Sequence, residues 1–313
     1  MKISGILPIK NGGLFIAKNL PGILASLNSD DQLVVIENGS TDKSLMLLNE
    51  FAKVDSRISL LSIGDSGLVK ALNRGISEST NPWVARYDID DSYPVTRLSN
   101  QRSLIDVEVS AIFADYEIRS ESGRKLGRLF SPLTDIATKS SLINSERTAH
   151  PVALLNRDAL LEVGGYRQEE FPVEDLGLWT RLSRVGKFLS VPTVELHYRL
   201  GKTSISGSNR KRMLQMSNQI KIDNGIAQWA ISALKDLEKT REIYRKDENG
   251  LARLILHLRD LKHPLVSIGL TASQSSLVSA EIRRTALSYK SFLPSTTLLF
   301  EKVRRETYRF TGV

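Results

Sequence analysis

The chain contains no cysteine, which excludes disulfides, thiolate metal sites and thiol nucleophiles together. It has no uninterrupted apolar run approaching the ~18 residues of a membrane-spanning helix. The opening residues 1–8 are too short, and too early broken by Pro8, to read as a signal peptide. Both features point to a cytoplasmic protein. Aromatic residues amount to 6%. With acidic residues interleaved among the basic ones, they are too sparse for a nucleic-acid-binding face.

What is present is the composition of a folded protein: 41% apolar and 25% charged over 313 residues, enough for one large domain or two ordinary ones. The charge is unevenly spread. Residues 1–206 hold 24 Lys and Arg against 25 Asp and Glu, whereas residues 207–313 hold 19 against 10. The whole positive excess lies in the last third, which marks a change of role near residue 207.

Apolar, β-branched runs at 2–7, 32–36, 58–63 and 83–87 read as buried strands. Between them Leu20, Ile23, Leu24 and Leu27, then Leu45, Leu48 and Phe51, then Leu72 and Ile76, recur at helical spacing. Strand and helix thus alternate to residue 90, predicting a mostly parallel sheet flanked by helices. Further strands are expected at 110–119 and 152–155, with short helices around Ile136 and over 158–163. In parallel sheets ligands bind beyond the carboxyl ends of the strands. There this chain places Asn11, the pair Glu37-Asn38, and the run Asp88-Ile89-Asp90-Asp91.

Three carboxylates in four residues are costly to pack unless cations neutralise them. Carboxylates at i and i+2 just past a strand end can meet one divalent ion, and oxygen-only ligation suits Mg²⁺ or Mn²⁺, which in turn suits a diphosphate. The plainer alternative is an acidic turn that caps the next helix and faces water.

Taken in order, several segments resemble the family 2 glycosyltransferases of GT-A fold. They are Leu7-Pro8-Ile9-Lys10-Asn11, Val34-Val35-Ile36-Glu37-Asn38-Gly39-Ser40-Thr41-Asp42, Gly67-Leu68-Val69-Lys70-Ala71-Leu72-Asn73-Arg74-Gly75-Ile76, Ala85-Arg86-Tyr87-Asp88-Ile89-Asp90-Asp91 with Arg97 and Gln101, His150-Pro151, Gly164-Gly165-Tyr166, and Glu174-Asp175-Leu176-Gly177-Leu178-Trp179. They span residues 1 to about 206. The resemblance implies a GT-A-like catalytic domain over 1–206; residues 207–313 carry no part of it, and their charge and helical spacing read as a basic helical extension. The resemblance also implies inverting hexosyl or N-acetylhexosaminyl transfer from a nucleotide sugar, UDP-linked by expectation, to a glycan acceptor in surface polysaccharide assembly.

The same resemblance assigns roles. Asp90 is the expected direct ligand of Mn²⁺ or Mg²⁺, with Asp88 and Asp91 completing the metal group and Asp88 also near the ribose. Pro8, Asn11, Glu37, Asn38, Asn73 and Arg74 fall to the donor. Asn38 stands where relatives carry an Asp that contacts uracil; its amide keeps an acceptor but adds a donor. The alternative for Asn38-Gly39 is a plain tight turn. Asp175 matches the catalytic base, with Glu174 beside it as acceptor holder; helix capping is the alternative for this pair. Arg86 orients the acidic cluster or serves structure alone, and His150 is structural or acts directly.

Two departures stand out. Gly177 replaces an acidic residue of many relatives, and Gly201 replaces a His that closes over the diphosphate. The diphosphate is then expected on Arg199 or Lys202. For the basic extension, with its run over 301–310, docking on an anionic membrane near lipid-linked acceptors and packing on the catalytic domain or on a second subunit both remain open. The membrane alternative would put the protein at the inner face. Rival functions are a sugar-nucleotide nucleotidyltransferase, which wants a Gly-rich loop after the first strand where this chain has Lys10-Asn11-Gly12-Gly13, and a donor-binding protein that has lost catalysis.

Overall fold

The computed structural model describes residues 1–142, 148–201 and 210–226, and parts of the stretch 229–257. Strands β1 (Ile3–Ile9), β2 (Gln32–Glu37), β3 (Ile58–Ser62) and β4 (Trp83–Arg86) run parallel. Parallel neighbours require a crossover, and α1 (Gly13–Ser26), α2 (Ser44–Val54) and α3 (Leu68–Glu78) supply it. After α4 (Arg97–Arg102) the pattern turns mixed. β5 (Val109–Ser120) and β6 (Lys125–Leu129) form a hairpin, and α5 (Asp135–Ser141) follows. β7 (Leu154–Asn156) then inserts between β4 and β5, antiparallel to both. Beyond α6 (Arg157–Glu162) and α7 (Glu174–Val185), β8 (Lys187–Leu200) runs parallel along the far side of β5. The order is β3-β2-β1-β4-β7-β5-β6, with β8 on β5.

Alternate residues of each strand enter opposite cores, as the pleat dictates. Ile6, Val34 and Ile36 join Leu72, Ile76, Phe113 and Trp179 on one face. Ile3, Leu7, Leu33 and Val35 join Leu20, Ile23 and Tyr87 on the other. Each face is sealed, which leaves the two ends of the parallel strands as their polar edges.

Three local expectations differ from the structure. Pro8 lies inside β1 rather than ending it: its position faces the β4 side, where pairing has stopped at Ile6, so its missing N–H costs no ladder bond. Leu45 is exposed, whereas Leu48 is buried and Phe51 packs against the core. Val152 ends a 3₁₀ turn begun by His150, and the strand starts only at Leu154.

The described part of the last third consists of α8 (Arg210–Asp223), α9 (Leu237–Tyr244) and scattered residues around them. Ile226, Tyr244 and Leu254 are buried in the same core as Phe113, Trp179 and Phe188. Arg253 is fully buried; its Nη1 and Nη2 each lie 2.7 Å from an Asp115 oxygen, and its Nε lies 2.7 Å from Asp247. No helix among the described residues is long and apolar enough to cross a membrane. The basic run over 301–310 lies outside the described residues, as does Lys202.

Candidate active site

The site is built from loops at the carboxyl ends of β1, β2 and β4, faced by the start of α7 and the end of β8. The first two loops are laced together. Asn11, in the left-handed region at φ 54°, donates its N–H to Ser40 Oγ at 3.0 Å, and its Oδ1 accepts from the Thr41 N–H at 2.8 Å. Gly12 N–H donates to Ser44 Oγ and Gly13 N–H to Asp42 Oδ2, both at 2.9 Å. Asp42 also accepts the first helical N–H of α2, from Ser44, so it caps that helix while tying the loops.

Glu37 is buried, with Ser40 N–H on one oxygen and Ser62 Oγ on the other at 2.6 Å. Burial alone would raise its pKa, but these hydrogen bonds win and hold it below the usual glutamate value. Asn38 is buried as well, and its Oδ1 accepts from Ser66 N–H at 2.9 Å. The backbone thus fixes which end of the amide points away, leaving Nδ2 as the group that can meet a ligand. Asn73 spends both ends of its amide on the backbone of Tyr166, at 2.8 and 2.9 Å, which ties α3 to the Gly164-Gly165 turn. Arg74 pairs with Glu78 one helical turn on, its side chain half exposed. The structure does not bring Asn73 or Arg74 into the group formed by the strand-end loops.

The 88–91 loop has a rigid base. Arg97 is buried beneath it, its guanidinium 4.1 Å from the Tyr87 ring centre and 4.8 Å from that of Tyr93, with Nη2 on the Arg86 carbonyl at 2.8 Å. Tyr93 Oη receives the Asp88 N–H at 2.7 Å, and Asn19 holds the Ile89 carbonyl at 2.8 Å. On this base each carboxylate has its own partner. Asp88 meets the buried Arg86 at 2.8 Å. Asp91, almost wholly buried, accepts the Arg199 backbone N–H at 2.7 Å. Asp90 meets the Arg199 guanidinium, at 3.3 Å, and its side chain is 40% exposed. Burial and the neighbouring Asp88 charge push the Asp90 pKa up against the pull of Arg199, and burial followed by the same like charges pushes Asp91 well up.

These residues do not converge as a ready three-ligand cage; no such group exists among the described residues. They do fit a hard cation of the Mg²⁺ type, which takes one or two carboxylates and draws its other oxygens from water and substrate phosphates. Asp90 is the accessible donor, Asp88 lies two residues away with one partner, and Asp91 fixes the loop to β8.

At the start of α7 the electrostatics differ. Glu174 is buried with Oε2 lacking a partner among the described residues, and burial plus the Asp175 charge raise its pKa to about 7. Burial also raises Asp175, opposed by the Leu176 N–H, which lies 2.7 Å from Oδ1. Arg86 lowers both, so its charge reaches from Asp88 to the α7 carboxylates. His150 lies beneath, with Nε2 2.7 Å from Tyr166 Oη and its ring 5.9 Å from that of Trp179. Burial and Arg86 push its pKa well down, which keeps the ring neutral at pH 7. This is a structural setting for His150.

Sequence reasoning did not single out Phe15, Ser66, Glu121 or Glu170. Phe15 and Glu121 flank Arg199. Glu170 pairs with Arg181 and lays its carboxyl over Gly177, where an added Cβ would come within 2.2 Å of it. A carboxylate therefore does lie at position 177, delivered from the 3₁₀ turn before α7. No local pattern announces that contact, because it joins a turn over Gln168–Glu170 to the first turn of a different helix.

Comparison with known proteins agrees with this geometry. The family model described as Glycosyl transferase family 2 matches residues 4–164. The O-antigen biosynthesis glycosyltransferase WbnJ of Escherichia coli is 25% identical over 182 residues, covering 58% of this chain and 71% of the relative. Among solved structures, S. aureus TarS 1-349 in complex with UDP-GlcNAc superposes with TM-score 0.60 at 15% identity, over 93% of this chain and 92% of that one. The mannosyltransferase PcManGT from Pyrobaculum calidifontis, in complex with GDP-Man and Mn²⁺, gives TM-score 0.52 at 15% identity, over 98% and 81%. At such identities the structures show a shared GT-A fold. The family match covers more than half of the sequence, and the chain is a member of glycosyl transferase family 2.

Proposed function

We propose that this glycosyltransferase moves a hexosyl or N-acetylhexosaminyl group from a uridine-diphosphate sugar to a hydroxyl of a glycan acceptor, with inversion, in the assembly of a surface polysaccharide. One observation carries the reading: carboxylates from two distant parts of the sequence, Asp88 and the Glu174-Asp175 pair, lie within electrostatic reach of one buried arginine, Arg86. The E. coli relative acts in O-antigen biosynthesis and one structural neighbour holds UDP-GlcNAc, which supports the choice of acceptor class and donor.

In this reading the acceptor oxygen bonds to the anomeric carbon as the bond from that carbon to the diphosphate oxygen breaks. The bonding pair leaves on the diphosphate, and Asp175 takes the acceptor proton. Glu174, protonated up to about pH 7, donates a hydrogen bond to the acceptor or the transferred sugar. Asn38, its Oδ1 held by the Ser66 N–H, turns Nδ2 toward a carbonyl of the base. A divalent cation at Asp90 and Asp88 would neutralise charge growing on the leaving diphosphate. A nucleotidyltransferase reading is disfavoured by the first loop: the N–H groups of Asn11, Gly12 and Gly13 are already taken by Ser40, Ser44 and Asp42 and cannot also cradle a phosphate.

A thermal-shift panel of UDP-, GDP- and dTDP-sugars with and without Mn²⁺ tests the proposal, since a ligand bound only by the native state raises the melting temperature. UDP-sugars are expected to give the largest Mn²⁺-dependent rise. A larger rise with GDP-sugars overturns the choice of base, and no rise with any nucleotide sugar overturns the reading as a whole.

A further inference from the structure

The end of β8 carries a side chain whose position is set on every side. Arg199 places Nη2 3.3 Å from Asp90 Oδ2 and Nη1 3.7 Å from Glu121 Oε1. Its guanidinium lies 4.6 Å from the ring centre of Phe15, in the first turn of α1. It also folds back over Gly201: a Cβ there would lie 2.9 Å from Nη2 and 3.0 Å from Nη1. A side chain at 201 would require the guanidinium to shift from this position. The backbone of Arg199 is pinned independently, through its N–H to Asp91, so the side chain can leave while the strand end stays in place.

We propose that Arg199 and the divalent cation compete for Asp90, so that arrival of the cation releases Arg199 toward the diphosphate. The inference rests on the reading of Asp90 as the cation's ligand. A Mg²⁺ or Mn²⁺ ion sits about 2.0–2.2 Å from a carboxylate oxygen. Against a guanidinium already on the same carboxylate, that puts two cationic groups within about 4–5 Å of each other, where they repel. Asp90 is the most exposed carboxylate of the three, 40% against 32% for Asp88, so the ion can approach it from solvent. Once displaced, a planar fork of N–H donors on a long arm suits phosphate oxygens better than it suits a neutralised aspartate. Phe15 supplies a face along which the guanidinium can slide without losing its stacking. The charge that balances the empty cluster thereby becomes the charge that receives the diphosphate, and metal and nucleotide bind in a coupled order.

The test is Mn²⁺ titration of the full chain, followed by electron paramagnetic resonance of free Mn²⁺, first without nucleotide and then with UDP. Arg199→Gln removes the competing charge and is expected to bind Mn²⁺ about three- to fivefold tighter than wild type without UDP. At saturating Mn²⁺ it is expected to bind UDP about tenfold more weakly. Arg199→Lys keeps the charge and is expected to match wild type in Mn²⁺ affinity. Unchanged or weaker Mn²⁺ binding by Arg199→Gln, with Asp90→Asn abolishing it in the otherwise wild-type chain, overturns the competition and makes Arg199 a support for Asp90. Mn²⁺ binding that Asp90→Asn leaves intact overturns the placement of the cation, and the competition falls with it.

Discussion

On the strand-end side of the site, Asp88 faces Arg86, Asp90 faces the Arg199 guanidinium and Asp91 accepts the Arg199 N–H. At the start of α7, Glu174 keeps a buried oxygen without a partner among the described residues, and burial dominates the acidity of both Glu174 and Asp175. Both regions crowd carboxylates together, but the first sets an arginine against Asp88 and against Asp90, whereas the α7 pair is met by backbone N–H groups. A guanidinium on a carboxylate favours its charged form, against the burial and like charges that raise Asp90, and can give way to another cation. Burial beside a like charge with no such cation on it raises Glu174 to about 7, a proton affinity that proton transfer can use. On the proposed function, the first region serves binding and the second serves chemistry.

The largest effect expected from breaking that contrast is at Asp175. Asp175→Asn preserves shape and removes the proton acceptor, so turnover with a glycan acceptor should fall by about 10²–10⁴-fold. A change confined to KM would assign the residue to acceptor binding instead. Pairing also matters far from the site. Arg253→Met leaves Asp115 buried with Arg128 as its remaining ion-pair partner, and urea unfolding should show a loss of about 3 kcal/mol. A loss below about 1 kcal/mol would mean that the described part of the last third is not integral to the catalytic core.

Glu174 sharpens the contrast through pH. Its folded pKa of about 7 lies above the ordinary glutamate value of 4.5, so between those values the folded chain holds a proton that the unfolded chain has released. Its contribution to stability is therefore present at low pH and is lost as pH rises from about 4.5 to 7. Glu174→Gln removes that loss: relative to wild type it should gain about 2–3 kcal/mol at pH 8 and little at pH 4. A variant no more stable than wild type at pH 8 would show that Glu174 is not held neutral by its surroundings. The smallest effect belongs to Arg74→Ala, which removes a half-exposed pair with Glu78. Stability should change by less than about 0.5 kcal/mol, and UDP affinity should not move; a marked loss of UDP affinity would return Arg74 to the donor site.

Much of this was legible in the sequence, for identifiable reasons. Strands covered on both faces write themselves as continuous apolar runs, so β1, β2 and β4 and the polar loops that end them could be read directly. Acidic residues that fold together around cations stand out because little else tolerates them. What escaped was set by contacts across the fold. Asn73 lies in a family motif, but its amide is committed to the Tyr166 backbone 93 residues away. Pro8 sits inside a strand because β4 is short. Arg253 looks like one more charge in a basic tail until Asp115, on β5, is placed beside it. The carboxyl over Gly177 comes from Glu170, and only the turn before α7 brings it there.

The division between binding and chemistry is tested most directly by calorimetric titration of UDP in the presence of Mn²⁺, run side by side on Asp90→Ala and Asp175→Asn. Asp175→Asn should bind UDP within about twofold of wild type, because its carboxylate acts only as the acceptor reacts. Asp90→Ala should lose the Mn²⁺-dependent part of the affinity while remaining folded. Equal losses in the two variants, or undiminished Mn²⁺-dependent binding in Asp90→Ala, would contradict the separation of the site into a half that holds the donor and a half that moves the proton.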